Sequence, residues 1–444
     1  MSPYTEKSFY LEHLGCAKNR VDAEIIIQAL IEAGLFEVSN PEDADLIIIN
    51  SCAFIAPAKE ETIDVTLSIR KNHPKAKIVL AGCFPQRYGA ETLDLLPEVD
   101  AIFGNLDPSE IIKILDSDNE KGLSQYFPEN PIRSYRRTQH TSFPGSTYIK
   151  ISEGCRHNCA FCAIPLIRGK LRSRDLDDIV DEVREALAAG FLEFNFIAQD
   201  LASFGYDRGK REFCDLIKTI CELPDRFWLR LLYIHPDNFP PEIMDICAAD
   251  DRILPYFDLP FQHASAKILS SMGRKGNSEA YLRLVDDIRR SLPDSVIRTS
   301  LMVGYPGETN DDFKRLLDFQ QAAQFDWAGV FQYSREEGTR AYPLSGFPGS
   351  AILKRKSVKR KEILEQKQTE ISSNRLKRYI GQKISVIIEE PVENSSLYIG
   401  RGYFQAPEVD GLVVVTGENL TPGKFIDVKI VSISGIDCKG EVVG

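Results

Sequence analysis

Apolar runs alternate with amphipathic stretches from Ser8 to Ala81. Ser8 to Leu14 reads as a strand, and Val21 to Ala33 reads as a helix ended by Gly34. Leu46 to Asn50 is an unbroken apolar run of the kind buried on both faces of a sheet. A helix from Ala58 to Lys71 and a strand from Lys77 to Ala81 follow. Alternation at this spacing predicts right-handed crossovers and a parallel sheet, whose strand C-termini share one edge. Open α/β sheets bind ligands at that edge. Cys16, Cys52 and Cys83 each stand just past a predicted strand, so three thiols distant in sequence are expected to meet there. A single such cysteine packs as a small hydrophobe; three at equivalent positions point to a metal site. With only three protein thiolates, an iron cluster there keeps one iron open, a place for an external sulfur.

From Asp116 to Ser146 the pattern breaks into proline, serine, asparagine and charged residues, with Pro128, Pro131 and Pro144, which predicts a linker. Six apolar strand-like runs follow with helices between them: Tyr148 to Ser152, Phe194 to Ala198, Trp228 to Ile234, Tyr256 to Phe261, Ile297 to Val303 and Ala328 to Tyr333. They predict a partial parallel barrel, whose function sits at the strand C-termini. Those ends carry the 152–162 loop, Gln199-Asp200, His235-Pro236, Gln262-His263, Gly304 to Glu308 and Ser334 to Thr339. A lone histidine such as His263 is more often a hydrogen-bonded core residue; the shared position of these groups is what marks them. Ala351 to Tyr379 predicts a charged helix closing the barrel, in preference to a nucleic-acid patch. Ile384 to Glu389, Leu397 to Ile399, Leu412 to Val415 and Phe425 to Ile433 predict a small closed antiparallel barrel. The fold class is therefore α/β, with expected units at 6–118, 141–375 and 377–444.

The loop after the first barrel strand is the densest chemistry in the chain. Cys155, Cys159 and Cys162 fall within eight residues, and the next cysteine is Cys214. Thiolate-only ligation selects zinc, copper(I) or an iron–sulfur cluster, and closed zinc or ferredoxin sites want four protein ligands. Three leave an iron open to a small chelating ligand. The CxxxCxxC spacing, with Phe161 just before the last cysteine, resembles the signature of radical S-adenosylmethionine (SAM) enzymes. A zinc knuckle and a ferredoxin-like carrier are the competing readings.

Composition narrows the partners. Ten cysteines without a basic-then-apolar leader in Met1 to Glu6 favour metal binding over a disulfide framework, and no apolar run is long enough for a membrane span, so the expected location is cytoplasmic. The net charge of -11 disfavours a bulk nucleic-acid binder. Residues 377–444 hold seven Lys or Arg against nine Asp or Glu, which suits a basic protein partner better than a polyanion.

With these motifs together, the chain resembles the methylthiotransferase family of radical-SAM enzymes from end to end: a three-cysteine N-terminal domain, a radical-SAM core and a C-terminal TRAM barrel. His13 to Glu24 resembles the LGCxKNxVDxE pattern of the branch that modifies an aspartate of ribosomal protein S-twelve, rather than the GCQMN of the branch that modifies tRNA adenosine. His157 and Leu259 to Ser265 agree, while Ala17, Ala23 and Arg156 depart from the family's usual Pro, Ser and Asn. The resemblance implies two 4Fe-4S clusters, one on Cys155, Cys159 and Cys162 and one on Cys16, Cys52 and Cys83. It implies SAM contacts among Phe161, Gln199, Gln262 and Gly304, hydrogen abstraction from the aspartate β-carbon by a SAM-derived radical, sulfur from the second cluster and a methyl group from a second SAM. An electron donor such as flavodoxin or ferredoxin and a monomeric state are expected with it. A tRNA methylthiotransferase and a non-catalytic iron–sulfur scaffold are the alternatives.

Overall fold

The computed structural model describes residues 7–115, 124–345 and 350–443. The opening hexapeptide, the first part of the predicted linker at 116–123 and the terminal Gly444 lie outside the described residues.

The first sheet is six-stranded and parallel: β1 (Ser8–His13), β2 (Phe36–Glu37), β3 (Leu46–Ser51), β4 (Lys77–Gly82), β5 (Ala101–Phe103) and β6 (Gln125–Tyr126), in the order β2-β1-β3-β4-β5-β6. Every residue of β3 is buried, as its unbroken apolar run requires. Helices α1 (Ala17–Glu32) and α2 (Ala56–Asn72) are the first crossovers. Predicted and observed strand ends agree within two residues.

The second sheet is formed by β7 (Ser146–Lys150), then, past the hairpin β8 (Ser152–Glu153) and β9 (Arg172–Ser173), by β10 (Glu193–Ile197), β11 (Trp228–Leu232), β12 (Ile253–Asp258), β13 (Val296–Val303) and β14 (Trp327–Gln332). These six strands pair in sequence order, all parallel, and leave β7 and β14 as open edges of a partial barrel. Successive side chains alternate between two environments. Phe194, Phe196, Leu229 and Leu231 face outward into the core shared with the surrounding helices. Glu193, Asn195, Arg230, Tyr256, Asp258 and Arg298 take the other positions in the alternation, on a face that is largely polar.

That polar face is met by the tail. Strands β15 (Lys383–Pro391), β16 (Leu397–Gly402), β17 (Val413–Thr416), β18 (Phe425–Ser434) and β19 (Asp437–Val442) close a five-stranded barrel. The sequence reading missed β19, whose alternation Asp-Cys-Lys-Gly-Glu-Val offers only Cys438 and Gly440 to the core. The tail barrel docks on the inner face of the larger one. Trp327 Nε1 donates to Phe404 O at 2.7 Å, Arg230 to Tyr403 O at 2.7 Å, and Tyr256 to Asp410 at 2.5 Å. Buried Glu193 accepts from Arg230 at 3.0 Å, Arg401 at 2.6 Å and Ser146 at 2.7 Å. One apolar cluster accordingly joins Val21 and Ile25 of α1, Tyr148, Leu232, Tyr256 and Trp327 of the large barrel, and Val386, Val413 and Val428 of the small one. The long helix Ser350–Leu376 lies along β14, with Gln320 donating to Leu364 O at 3.0 Å and Gln368 to Phe325 O at 2.8 Å.

Removing Glu193 leaves two buried guanidinium groups short of their shared carboxylate, a loss of about 3–5 kcal/mol for a buried pair. Glu193→Ala is expected to lower the calorimetric melting temperature and to expose the 377–382 junction to limited proteolysis.

Candidate active site at the barrel mouth

The first thiol set is assembled by strand register. His13 pairs with Asn50 and Ser51 with Gly82, so the chain beyond each strand turns at one sheet edge. Cys16 precedes α1, Cys52 follows β3 directly, and Cys83 opens the helix α3 (Cys83–Tyr88). Gly15 has φ +97°, and a Cβ on it would lie 2.9 Å from Cys52 Cβ and 3.3 Å from Cys52 Sγ. A glycine is therefore what lets the Cys16 turn close on Cys52. Asn19 ties the edge together, donating to Leu14 O at 3.1 Å and Ser51 O at 2.8 Å. Cys83 is buried and receives a hydrogen bond from Arg168 at 3.1 Å, with its own thiol directed at Asn19 Oδ1 at 3.3 Å. Burial pushes Cys83 up to about 12 and raises Cys52; the charges of the neighbouring thiols act in the same direction.

The second set sits in the loop between β8 and the helix Ile164–Ile167. Gly154 has φ +74°, and a Cβ there would stand 2.2 Å from Lys170 O. Cys155 N donates to Gly169 O at 3.2 Å, Cys162 N to Cys159 O at 3.2 Å, and Ala160 N to Met272 O at 2.8 Å. His157 is paired with Asp200 at 2.7 Å and stacked on His235 at 4.1 Å. Burial opposes the charge on Asp200, yet the His157 contact and hydrogen bonds from His235 N and Ser203 hold it below the usual carboxylate range. Burial pushes Cys155 up to about 11 and Cys162 to about 12, each reinforced by the adjacent thiols. Phe161 packs against the cluster of Ile268, Met272, Met302 and Tyr305.

Among the described residues, no group of three His, Cys, Asp or Glu side chains is drawn up at metal-binding spacing. Each thiol set is gathered by its backbone without its side chains forming a closed shell. The donor chemistry nevertheless fits a soft metal centre, because thiols that raise one another's pKa are relieved by a shared cation.

The other expected contacts divide. Gln199 donates to Glu153 at 2.7 Å, and its buried amide oxygen has no partner. Gln262 has φ +69°, rare for a residue with a side chain, and its backbone is pinned by Ser300 O at 2.8 Å and Met302 N at 2.6 Å. Gly304 packs closely against the long helix: a Cβ on it would fall 2.5 Å from Ser357 Cβ, and its N–H is taken by Glu308. His263 is fully buried, its Nδ1 accepting from Ala264 N at 2.9 Å and Ser265 N at 3.0 Å, while its Nε2 faces Glu308 at 3.7 Å without a hydrogen bond.

What joins the two thiol sets is a buried seam of charge. Asp22 of α1 takes Lys150 and Arg168 at 2.5 Å each; Glu153 takes Lys150 at 2.9 Å and Arg168 at 3.1 Å. Glu24 binds Arg137, which also reaches Glu182 at 2.8 Å. Glu336 of the large barrel holds Lys59 at 2.9 Å and Arg87 at 2.5 Å. Ala163 and Ile167, beside the second thiol set, share an apolar cluster with Cys83 and Phe84. Motif reading singled out Asn19, Asp22 and Glu24 only as part of a resemblance; a polar residue on a helix side that also presents Val21 and Ile25 was the available signal. Nothing in the sequence marked Arg168 as their partner.

A partial barrel with three thiols in the loop after its first strand is the arrangement of radical-SAM enzymes. A family model described as the Radical SAM superfamily matches residues 149–319, one described as uncharacterized protein family UPF0004 matches 8–104, and the TRAM domain matches 380–443. A solved radical SAM methyltransferase, TsrM from Kitasatospora setae, superposes with a TM-score of 0.58 over 76% of this chain and 77% of that one, at 16% identity, a likeness of fold alone. In sequence, the chain is 41% identical to the ribosomal protein uS12 methylthiotransferase RimO of Treponema denticola, over 97% of this chain and 99% of the relative. It is 38% identical to the protein of that name in Carboxydothermus hydrogenoformans, over 98% and 99%. The chain belongs to the RimO family of radical-SAM methylthiotransferases.

Gly154→Ala is expected to dislodge the loop that carries Cys155, Cys159 and Cys162, lowering the iron bound per chain after anaerobic reconstitution. Gly190→Ala, at φ +92° but with nothing within 4 Å of the added Cβ, is expected to leave iron content unchanged.

Proposed function

We propose that this enzyme adds a methylthio group to the β-carbon of an aspartate of ribosomal protein uS12, using SAM and two 4Fe-4S clusters. What supports the reading is the packing of the barrel's cysteine loop against the first thiol set: Arg168, just past the loop, reaches Cys83 at 3.1 Å, and Ala163 and Ile167 share an apolar cluster with it. Cys155, Cys159 and Cys162 are the residues to hold one cluster, and Cys16, Cys52 and Cys83 the other. When bound, the first supplies the electron for reductive cleavage of SAM, and the second holds the sulfur to be transferred.

The chain's own residues position these groups. His157, clamped between Asp200 and His235, fixes the cysteine loop against the ends of β10 and β11. Glu153, held ionised by Arg168 and Lys150 against the cost of burial, anchors the Gln199 amide nitrogen and leaves its oxygen to accept from SAM. Gln262 offers a second contact from the next strand but one, its backbone held in a conformation that persists only where surrounding structure enforces it. Phe161 supplies apolar cover beside the cysteines, and the backbone at Gly304 lies at the fifth strand end. An electron donor such as flavodoxin or ferredoxin, a monomeric state and a cytoplasmic location complete the reading, with units at 6–118, 141–375 and 377–444. No described helix is long and apolar enough to cross a membrane.

Cys159→Ala is expected to abolish SAM cleavage, whereas Cys52→Ala cleaves SAM but transfers no methylthio group. Wild-type chain is expected to bind about eight irons, two four-iron cubes, and about four would remove the second cluster. Mass spectrometry of uS12 and of tRNA from cells with and without the gene decides the substrate. Loss of the methylthio increment from tRNA, with uS12 unchanged, would transfer the enzyme to the other branch.

A further inference from the structure

Lys18 is buried to 8% exposure in the first turn of α1, the end at which the peptide dipoles already concentrate positive charge. Its ammonium lies 3.3 Å from the centre of the Tyr233 ring. Tyr233, just past β11, is held at φ +72°, a backbone strain of the sort retained at functional positions. Among the described residues, no carboxylate stands within ion-pair distance of Lys18. Three acidic groups act on it from farther away: Cys16, which belongs to the first thiol set, and two carboxylates that have nearer cations, Asp258 with Arg298 at 3.8 Å and Glu153 with Lys150 and Arg168. A ring face stabilises an ammonium without consuming its N–H donors. A desolvated cation at a helix N-terminus, with its donors unspent, is thus set to receive an anion. The place is reachable, because Gly15 and Cys16 beside it are exposed and Tyr233 is only half-buried.

We propose that Lys18, held over Tyr233 beside Cys16 of the first thiol set, receives the side-chain carboxylate of the substrate aspartate and is the residue that selects an anionic side chain. The inference rests on the uS12 reading above. A carboxylate bound there lies beside Cys16 of the first thiol set. Lys18 is on this account a binding and specificity residue, and it need not exchange a proton.

The test uses the reconstituted full-length enzyme and two synthetic peptides spanning the target segment of uS12, one with the aspartate and one with asparagine in its place. Binding is followed by fluorescence anisotropy and turnover of the aspartate peptide by mass spectrometry. Wild type is expected to bind the aspartate peptide about ten-fold or more tightly than the asparagine peptide, the discrimination of a charge-assisted hydrogen bond. Lys18→Met is expected to bring the aspartate peptide down to the asparagine level, and Lys18→Arg to keep part of the preference. Iron content and melting temperature report whether Lys18→Met is folded; if it is not, the wild-type ratio and Lys18→Arg still decide. Equal binding of both peptides by wild type, or an unchanged ratio in folded Lys18→Met, overturns the proposal. Failure of wild type to modify intact uS12 instead overturns the substrate reading on which it rests.

Discussion

The carboxylate of Asp22 is the point on which the architecture turns. It sits in α1, a helix of the first domain, and is met by Lys150 at the end of the first barrel strand and by Arg168 just beyond the cysteine loop. All three side chains are nearly inaccessible to water. Such a triad adds little net stability, because desolvating three charges costs about what their attraction returns. Its effect is on geometry: any displacement of one domain against the other strands a charge in a medium that cannot solvate it. The ion pairs therefore specify a single docking arrangement, and with it the placement of one thiol set relative to the other.

Arg168 extends that constraint into the site. Its guanidinium serves Asp22, Glu153, Asn19 and Cys83 together, so the first domain's sheet edge and the barrel's cysteine loop are ordered by one side chain. A lysine could carry the charge but not the fork of donors that reaches several acceptors at once. The Glu193–Arg230–Arg401 group performs the same office at the other end of the barrel, where the tail barrel meets the polar inner face. Two charged seams, one joining the first domain to the large barrel and one joining that barrel to the tail, hold the three domains together.

Much of this was legible beforehand because it depends on local periodicity. The unbroken apolar run at Leu46 to Asn50 had to be a buried parallel strand, and the six runs from Tyr148 to Tyr333 recur at the spacing of strand and crossover helix. Cysteines just past strand ends follow from the same geometry, since parallel strands finish on one edge. The strand Asp437–Val442 escaped because alternate positions there are too polar or too small to signal burial. Gly304 is a related case: a glycine announces a close approach but not its partner, and only the fold shows that its Cβ position is met by Ser357 of the long helix Ser350–Leu376.

The sequence by itself determined the three-part architecture, the two sets of thiols and the chemistry they can support, because each is written in short-range pattern and residue type. Only the tertiary structure decided how the domains meet, and so which charges are spent and which remain. In the sequence Lys18, Asp22 and Glu24 stand out only through a resemblance, and Arg168 not at all. Burial at the junction pairs three of them and leaves Lys18 over an aromatic ring with its donors free. That distinction depends on contacts across more than a hundred residues of chain, which no local pattern encodes.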